Sequence, residues 1–299
     1  MRGQRAAGPH PRGRLAAGGA ARAAAAAATA ALLLFTAACS GGGEREPHPS
    51  APGPGASEAV RPPEPGTVFD YQIGGAYTPP GTVRAVARDR SAEPAAGLYN
   101  VCYVNAFQAQ PGDEVDWWRT HHPQLLLRDG RGTLVVDEDW EEPLLDISTE
   151  ARRSALLKVV GPWIDGCAED GYDAVEPDNL DSYTRSDGLL TADHAVAFAR
   201  LLSERAHARG LAIAQKNGAE LLGARDRMGF DFAVAEECGR YDECTAYQEA
   251  YEGRVFDVEY RARDFETACR SRGGVPLSVT LRDREVRPAG SPGHVHRTC

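Results

Sequence analysis

The stretch AVEPDNLDSY, Ala174 to Tyr183, decides how the rest of the chain is read. A short apolar run ends in Glu176, Asp178, Asn179 and Asp181. Carboxylates this close repel one another, so they need a solvated turn, a metal or a reactive site. Side chains alternate along a strand. Glu176 and Asp178 therefore share one face, and Pro177 and Asn179 take the other.

The same pattern recurs on both sides. VFDYQIGG reads as a strand ending near Asp70, LYNVCYVNAFQ as one ending near Asn105, and LLDIS as a short strand to Asp146. YDAVEPD, LAIAQKN, FDFAVAEEC, RVFDVEY and PLSVTLRD bring the number to eight. QLLLRD and TLVVDED read as a hairpin or local excursion. TEARRSALLKVVGPWIDGCAEDG opens on a Thr cap and keeps a helical period. TADHAVAFARLLSERAHARG is a capped helix closed by Gly210. Strands apolar on both faces, alternating with helices, predict a covered parallel sheet. Eight such units in about 230 residues predict an α/β fold of the (β/α)8 TIM-barrel type, a single domain over residues 66–299. No Gly-rich phosphate loop follows the first strand, which argues against a nucleotide-binding doubly wound sheet.

Nearly every expected strand ends in polar residues. They are Asp70 and Gln72, Asn105, Asp146, Asp178 and Asn179, Lys216 and Asn217, Glu236 and Glu237, Glu259 and Tyr260, then Arg282 and Asp283. A barrel brings these ends to one rim, where active sites sit. Single polar ends serve as caps or turns; a full set points to a shared ligand site. Two carboxylates aimed into one pocket push at least one pKa upward. A nucleophilic carboxylate with an acid/base carboxyl is the arrangement that cleaves a glycosidic bond. EPDNLDSYTRSDG also offers oxygen ligands for Ca²⁺, but without EF-hand spacing.

Lys216 is one of only two lysines beside 31 arginines. A chain that uses Arg wherever a positive charge suffices has a chemical reason for Lys at a strand end. Tyr71 and Tyr260 are the aromatic candidates for the site. No GxSxG occurs and no His ends a strand, so a Ser-His-acid triad has no support.

The first segment carries Arg2, Arg5, Arg12, Arg14 and Arg22 and no acid, followed by the apolar run AAAAAATAALLLF and then TAACS. This reads as a secretory signal over residues 1–38, of lipoprotein type, with Cys39 lipidated. Residues 39–65 are rich in Gly, Pro, Ser and Glu and read as a flexible tether. Loss of the leader takes the formal charge from −10 to −15. Nucleic acid is an improbable partner for so acidic a chain, whereas a cationic substrate fits it. The expected protein is an extracytoplasmic monomer, held to a membrane by its lipid or secreted. Six cysteines remain beyond Cys39, an even number in an exported chain, which suggests three disulfides. They allow 15 connectivities; Cys238–Cys244, Cys269–Cys299 and Cys102–Cys167 are the preferred pairs. The histidines lack zinc-site spacing, so neither a metal nor another cofactor is expected.

FDYQIGG, YNVCYVNAF, WIDGCA with GYDAVEPDNLDSY, GLAIAQKN, DFAVAEEC and VFDVEY together resemble glycoside hydrolase family 114, the endo-α-1,4-polygalactosaminidase family of TIM-barrel enzymes. EPDN and AEEC are the most specific parts, and the resemblance spans Val68 to Cys299. It implies cleavage of α-1,4-linked galactosamine polymers, partly cationic and partly acetylated exopolysaccharides of biofilms. It implies a retaining mechanism with an Asp after the fourth strand and a Glu after the sixth. Asp178 and Glu236 match those positions, with Glu237 beside Glu236 as the competing acid/base. Asp70, Tyr71, Asn105, Glu176, Asn179, Asp181, Lys216, Asn217, Glu237, Glu259, Tyr260 and Asp283 form the expected substrate-binding set. A retaining enzyme for another α-linked glycan, or a surface lipoprotein that binds glycan without cutting it, shares most of these features.

Overall fold

The computed structural model describes residues 59–271 and 276–299. The expected leader, the expected lipidation site Cys39 and the expected tether as far as residue 58 lie outside them. Eleven strands are present among the described residues: β1 (Phe69–Tyr71), β2 (Ala85–Asp89), β3 (Tyr99–Asn105), β4 (Val136–Asp137), β5 (Glu142–Pro143), β6 (Ala174–Asp178), β7 (Ala212–Lys216), β8 (Phe232–Glu236), β9 (Val255–Glu259), β10 (Ser278–Arg282) and β11 (His296–Thr298). The large sheet runs β1-β2-β3-β6-β7-β8-β9-β10-β11. Its first eight strands are parallel and β11 is antiparallel. Arg282 of β10 and His296 of β11 reach Asp70 of β1 across the seam, at 3.2 and 3.4 Å. The result is an α/β barrel of the TIM type.

Helices α1 (Asp113–His121), α2 (Glu150–Glu169), α3 (Ala192–Ala208), α4 (Arg225–Met228), α5 (Cys238–Tyr241), α6 (Cys244–Ala250) and α7 (Ala262–Cys269) cover the outside. Thr149 caps α2 by accepting from the Arg152 amide. Thr191 and His194 form a capping box on α3. Gly210, at φ 77°, turns the chain out of α3 into β7.

The strand count is as expected, but one member differs. Ala85–Asp89 is the second barrel strand, whereas LLDIS lies outside the barrel. Leu144 and Leu145 make only isolated antiparallel bridges, to Gln108 and Leu126. They are buried in the outer hydrophobic cluster, which also holds Val115 and Trp118 of α1 and Leu156 and Val160 of α2. The physical reason is space. Ala85 and Ala87 point into the barrel where Phe69, Phe232 and Phe256 already fill the interior, so small side chains fit there. Alanine is a poor strand former by propensity, which hides this strand in the sequence.

The barrel interior follows the two-residue period. Inward positions begin apolar and end polar: Ala174, Glu176 and Asp178 on β6; Ala212, Ala214 and Lys216 on β7; Phe232, Val234 and Glu236 on β8. Val60 packs against this core and Pro63 is buried. Among the described residues, packing against the barrel therefore includes positions before the expected start at 66.

The three disulfides are Cys102–Cys167, Cys238–Cys244 and Cys269–Cys299, the preferred pairing. They tie β3 to α2, α5 to α6, and α7 to the residue that follows β11. Disulfides of this kind are compatible with an oxidising, extracytoplasmic compartment. Among the described residues no helix is long and apolar enough to cross a membrane.

Candidate active site

A cleft of about 630 Å³ opens at the carboxyl ends of the strands. At its base, one ammonium meets three carboxylates. Lys216 Nζ lies 2.9 Å from Glu176 Oε1, 3.0 Å from Asp178 Oδ1 and 3.4 Å from Glu236 Oε2. It also donates to the Tyr71 hydroxyl at 3.0 Å, and Tyr71 donates to Glu176 Oε1 at 2.7 Å. Tyr103 donates to Asp178 Oδ2 at 2.5 Å. Tyr260 donates to Glu236 Oε1, and the Asn217 amide donates to Glu236 Oε2 at 2.9 Å.

This arrangement sets the charges. Burial opposes ionisation of Asp178, but the Lys216 charge and the hydrogen bonds from Tyr103 and Lys216 outweigh it and hold the carboxyl below its ordinary range. Burial pushes Glu176 up, with Lys216 opposing. Burial also works against the Lys216 charge, but Asp178, Glu176 and Glu236 raise it well above the usual lysine value. Lys216 is therefore a fixed cation. Glu236 is the most open of the three carboxyls, its side chain 27% exposed against 17% for Asp178.

Each of the three strands ends in the same turn. Asn179, Asn217 and Glu237 follow Asp178, Lys216 and Glu236, and all three have left-handed backbones at φ 66°, 49° and 59°. Asn adopts this conformation more readily than most residues. The turn at Glu237 separates the doubled glutamates. Glu236 keeps the inward position, whereas Glu237 pairs with Arg240 at 2.8 Å.

Asp178, Asn179, Asp181, Lys216, Asn217, Glu236, Glu237 and Tyr260 line the cleft. Glu176 and Tyr71 lie directly beneath it, against Lys216. Asn105 donates to Glu142 Oε2 at 3.0 Å and accepts from Asn179 at 3.0 Å. Asp181 is paired with Arg185, which also reaches Asp137 of β4 at 2.6 Å. Three expected members are elsewhere. Asp70 is fully buried in the seam, bound to Arg282 and Gln72. Glu259 faces outward on β9 and accepts from the Gly239 amide at 2.6 Å, beneath α5. Asp283 accepts from the Arg287 and Val295 amides, each at 3.1 Å. The reason for Asp70 and Glu259 is parity: Phe69 and Tyr71, and Phe256, Val258 and Tyr260, hold the inward positions of those strands.

The sequence reading missed the β4–β5 hairpin as part of the site. Asp137, Asp139, Trp140 and Glu142 all line the cleft. Acids crowded around a single Trp in an expected excursion were the available signal.

A barrel with an ionised Asp and a more open Glu, both held on one lysine at the strand ends, belongs to the carboxylate-pair hydrolases. The family model Glycoside-hydrolase family GH114 matches residues 50–299, so the chain belongs to that family and is a glycoside hydrolase. Ega3 of Aspergillus fumigatus, solved in complex with galactosamine, shares 22% identity at a TM-score of 0.65, covering 81% of this chain and 98% of its own. The glycoside hydrolase domain of PelA from Pseudomonas aeruginosa shares 16% identity at a TM-score of 0.52, covering 76% of this chain and 98% of its own. At these identities the likeness shows the fold. No curated protein matches the sequence significantly.

Proposed function

We propose that the protein is an endo-acting hydrolase of α-1,4-linked, galactosamine-containing polysaccharide, working by a retaining two-carboxylate mechanism. The observation that carries the mechanism is the pair of contacts from Lys216 to Asp178 and Glu236. The two oxygens concerned can be no farther apart than the sum of those contacts. Two carboxyls drawn to one ammonium support a close pair of the kind that works with retention, without room set aside for a water between them.

Asp178, held ionised, attacks the anomeric carbon as Glu236 gives its proton to the leaving oxygen. The product is a glycosyl ester on Asp178 and a shortened chain. Glu236 then takes a proton from water, the hydroxide attacks the same carbon, and Asp178 leaves with net retention. Lys216 stabilises the Asp178 charge before attack and again as it returns. Asp178, Glu236 and Glu237 share the cleft wall with further acids, including Glu220 and Glu243, against Lys216, Arg185 and Arg284. Such a surface favours a polymer carrying ammonium groups. Family membership and the galactosamine complex of the similar structure support the same substrate class. In this reading residues 1–38 direct export, Cys39 carries a lipid, and the domain acts as an extracytoplasmic monomer.

The test is digestion of partly deacetylated α-1,4-galactosamine polymer, read as oligosaccharides by mass spectrometry. The parent releases oligomers of mixed length and Asp178→Asn releases none. Polymer bound but uncut by the parent would make the protein a glycan-binding lipoprotein instead. Cleavage of another α-linked glycan in a panel, with this polymer left intact, would move the substrate assignment.

A further inference from the structure

Lys216 is shared by two carboxyls that are partnered alike. Asp178 meets the lysine through Oδ1 and the Tyr103 hydroxyl through Oδ2. Glu236 meets the lysine through Oε2 and the Tyr260 hydroxyl through Oε1. The two oxygens of Glu236 are therefore not equivalent. Oε2 accepts from the Asn217 amide at 2.9 Å and lies 3.4 Å from the Lys216 ammonium. A proton on Oε2 would stand against two nitrogens that only donate. Among the described residues Oε1 meets the Tyr260 hydroxyl alone, and a hydroxyl can donate or accept. The proton that Glu236 carries as an acid therefore belongs on Oε1, and its neighbour there is Tyr260.

Tyr260 directly follows β9 and lines the cleft, with the Arg284 guanidinium 5.5 Å from its ring centroid. Burial, with the Glu236 charge adding to it, pushes the phenol well above its ordinary value. Tyr260 thus stays a neutral hydroxyl, able to pass a proton on only by receiving another. Building on the retaining reaction proposed above, we propose that Tyr260 is a catalytic residue that relays the proton between Glu236 and the glycosidic oxygen. In the first step the Tyr260 hydroxyl gives its hydrogen to the leaving oxygen and takes the Glu236 proton from Oε1. The glycosidic bond breaks as the Asp178 carboxylate bonds to the anomeric carbon, and Glu236 is left as a carboxylate. The hydroxyl then donates to Oε1, which is the arrangement in this structure. In the second step water gives a proton to the Tyr260 oxygen and Tyr260 passes its own to Glu236. The hydroxide bonds to the anomeric carbon as the ester bond to Asp178 breaks. Glu236 remains the source and the sink of the proton; Tyr260 is its route.

The experiment compares kcat/KM of the intact protein and of Tyr260→Phe on two substrates. One is an α-1,4-galactosamine oligomer, whose leaving sugar hydroxyl needs a proton. The other is the matching α-glycosyl fluoride, whose leaving group needs far less proton transfer. Tyr260→Phe loses about 100-fold or more on the oligomer and less than about tenfold on the fluoride. A loss of equal size on both would mean that Tyr260 only shapes the pocket, and would overturn the relay. Oligomer cleavage within a few-fold of the parent would overturn it too. A second measurement needs no variant: the parent's kcat/KM on the oligomer is followed as the solvent deuterium fraction rises. A relay moves two protons and gives a curved dependence, whereas a straight line, the mark of one proton, overturns it. Should the parent cut a different α-linked glycan, both measurements are made on that glycan and only the substrate assignment falls. A parent that cuts no α-linked glycan overturns the retaining reaction and the relay together.

Discussion

Lys216 Nζ lies 3.0 Å from Asp178 Oδ1, and the lysine side chain is only 2% exposed. A buried cation in contact with the carboxylate proposed as nucleophile keeps it ionised where burial alone would protonate it. Glu176 and Tyr71 fix the ammonium from below.

This geometry leaves no room for a planar guanidinium. Lys216→Arg is expected to lower kcat/KM by about 100-fold or more, measured by steady-state kinetics on protein whose thermal unfolding is cooperative. Activity within a few-fold of the parent would remove Lys216 from the account.

Tyr103 acts on the same carboxylate from the other side. Its hydroxyl helps hold Asp178 down, so Tyr103→Phe raises the Asp178 pKa. The acid limb of the kcat/KM profile moves to higher pH, and activity near neutrality falls about tenfold. A limb that stays in place would mean that Tyr103 only shapes the pocket.

How much of this was legible in the sequence depends on parity. Alternation applied to Glu176 and Asp178 correctly placed both on one face. Applied to every strand, it would have excluded Glu259, because Val258 is inward on β9, and Asp70, because Phe69 and Tyr71 are inward on β1. Glu236 and Glu237 were harder, since only the left-handed turn at Glu237 separates them. The scarcity of lysine singled out Lys216, but nothing in the sequence reported its three carboxylate contacts. Ala85–Asp89 escaped because the barrel demands small inward side chains there, which read as poor strand. Glu142 and Trp140 escaped because the hairpin's return to the rim is a tertiary event with no periodic signal.

The outward acids of β9 make stability depend on pH. Burial, with nearby acids adding to it, pushes Glu259 up to about 7, and Asp257 beside it is also raised, by burial and then by Glu259. A raised carboxyl contributes stability that is full below its unfolded pKa of ~4.5 and is lost as pH rises through the folded value. Glu259→Gln keeps an acceptor for the Gly239 amide and removes the titration. Its melting temperature should exceed the parent's at pH 8 and match it at pH 4. Equal melting temperatures at pH 8 would show that Glu259 does not resist ionisation.

Cys102–Cys167 ties β3, which carries Tyr103, to α2 across 65 residues of sequence. Replacing both cysteines with Ala should destabilise the domain by about 2–4 kcal/mol, read by denaturant unfolding. No loss of stability would show that the packing between β3 and α2 suffices without it.

The central claim is that Asp178 attacks the sugar and Glu236 serves both half-reactions. The most direct measurement is proton NMR of the first product formed from α-1,4-galactosamine oligomers, before mutarotation, with Asp178→Asn and Glu236→Gln alongside. The account predicts an α-anomer from the parent and no product from either folded variant. A β-anomer would mean inversion and would take the nucleophile role from Asp178. Substantial turnover by Asp178→Asn would contradict the account outright.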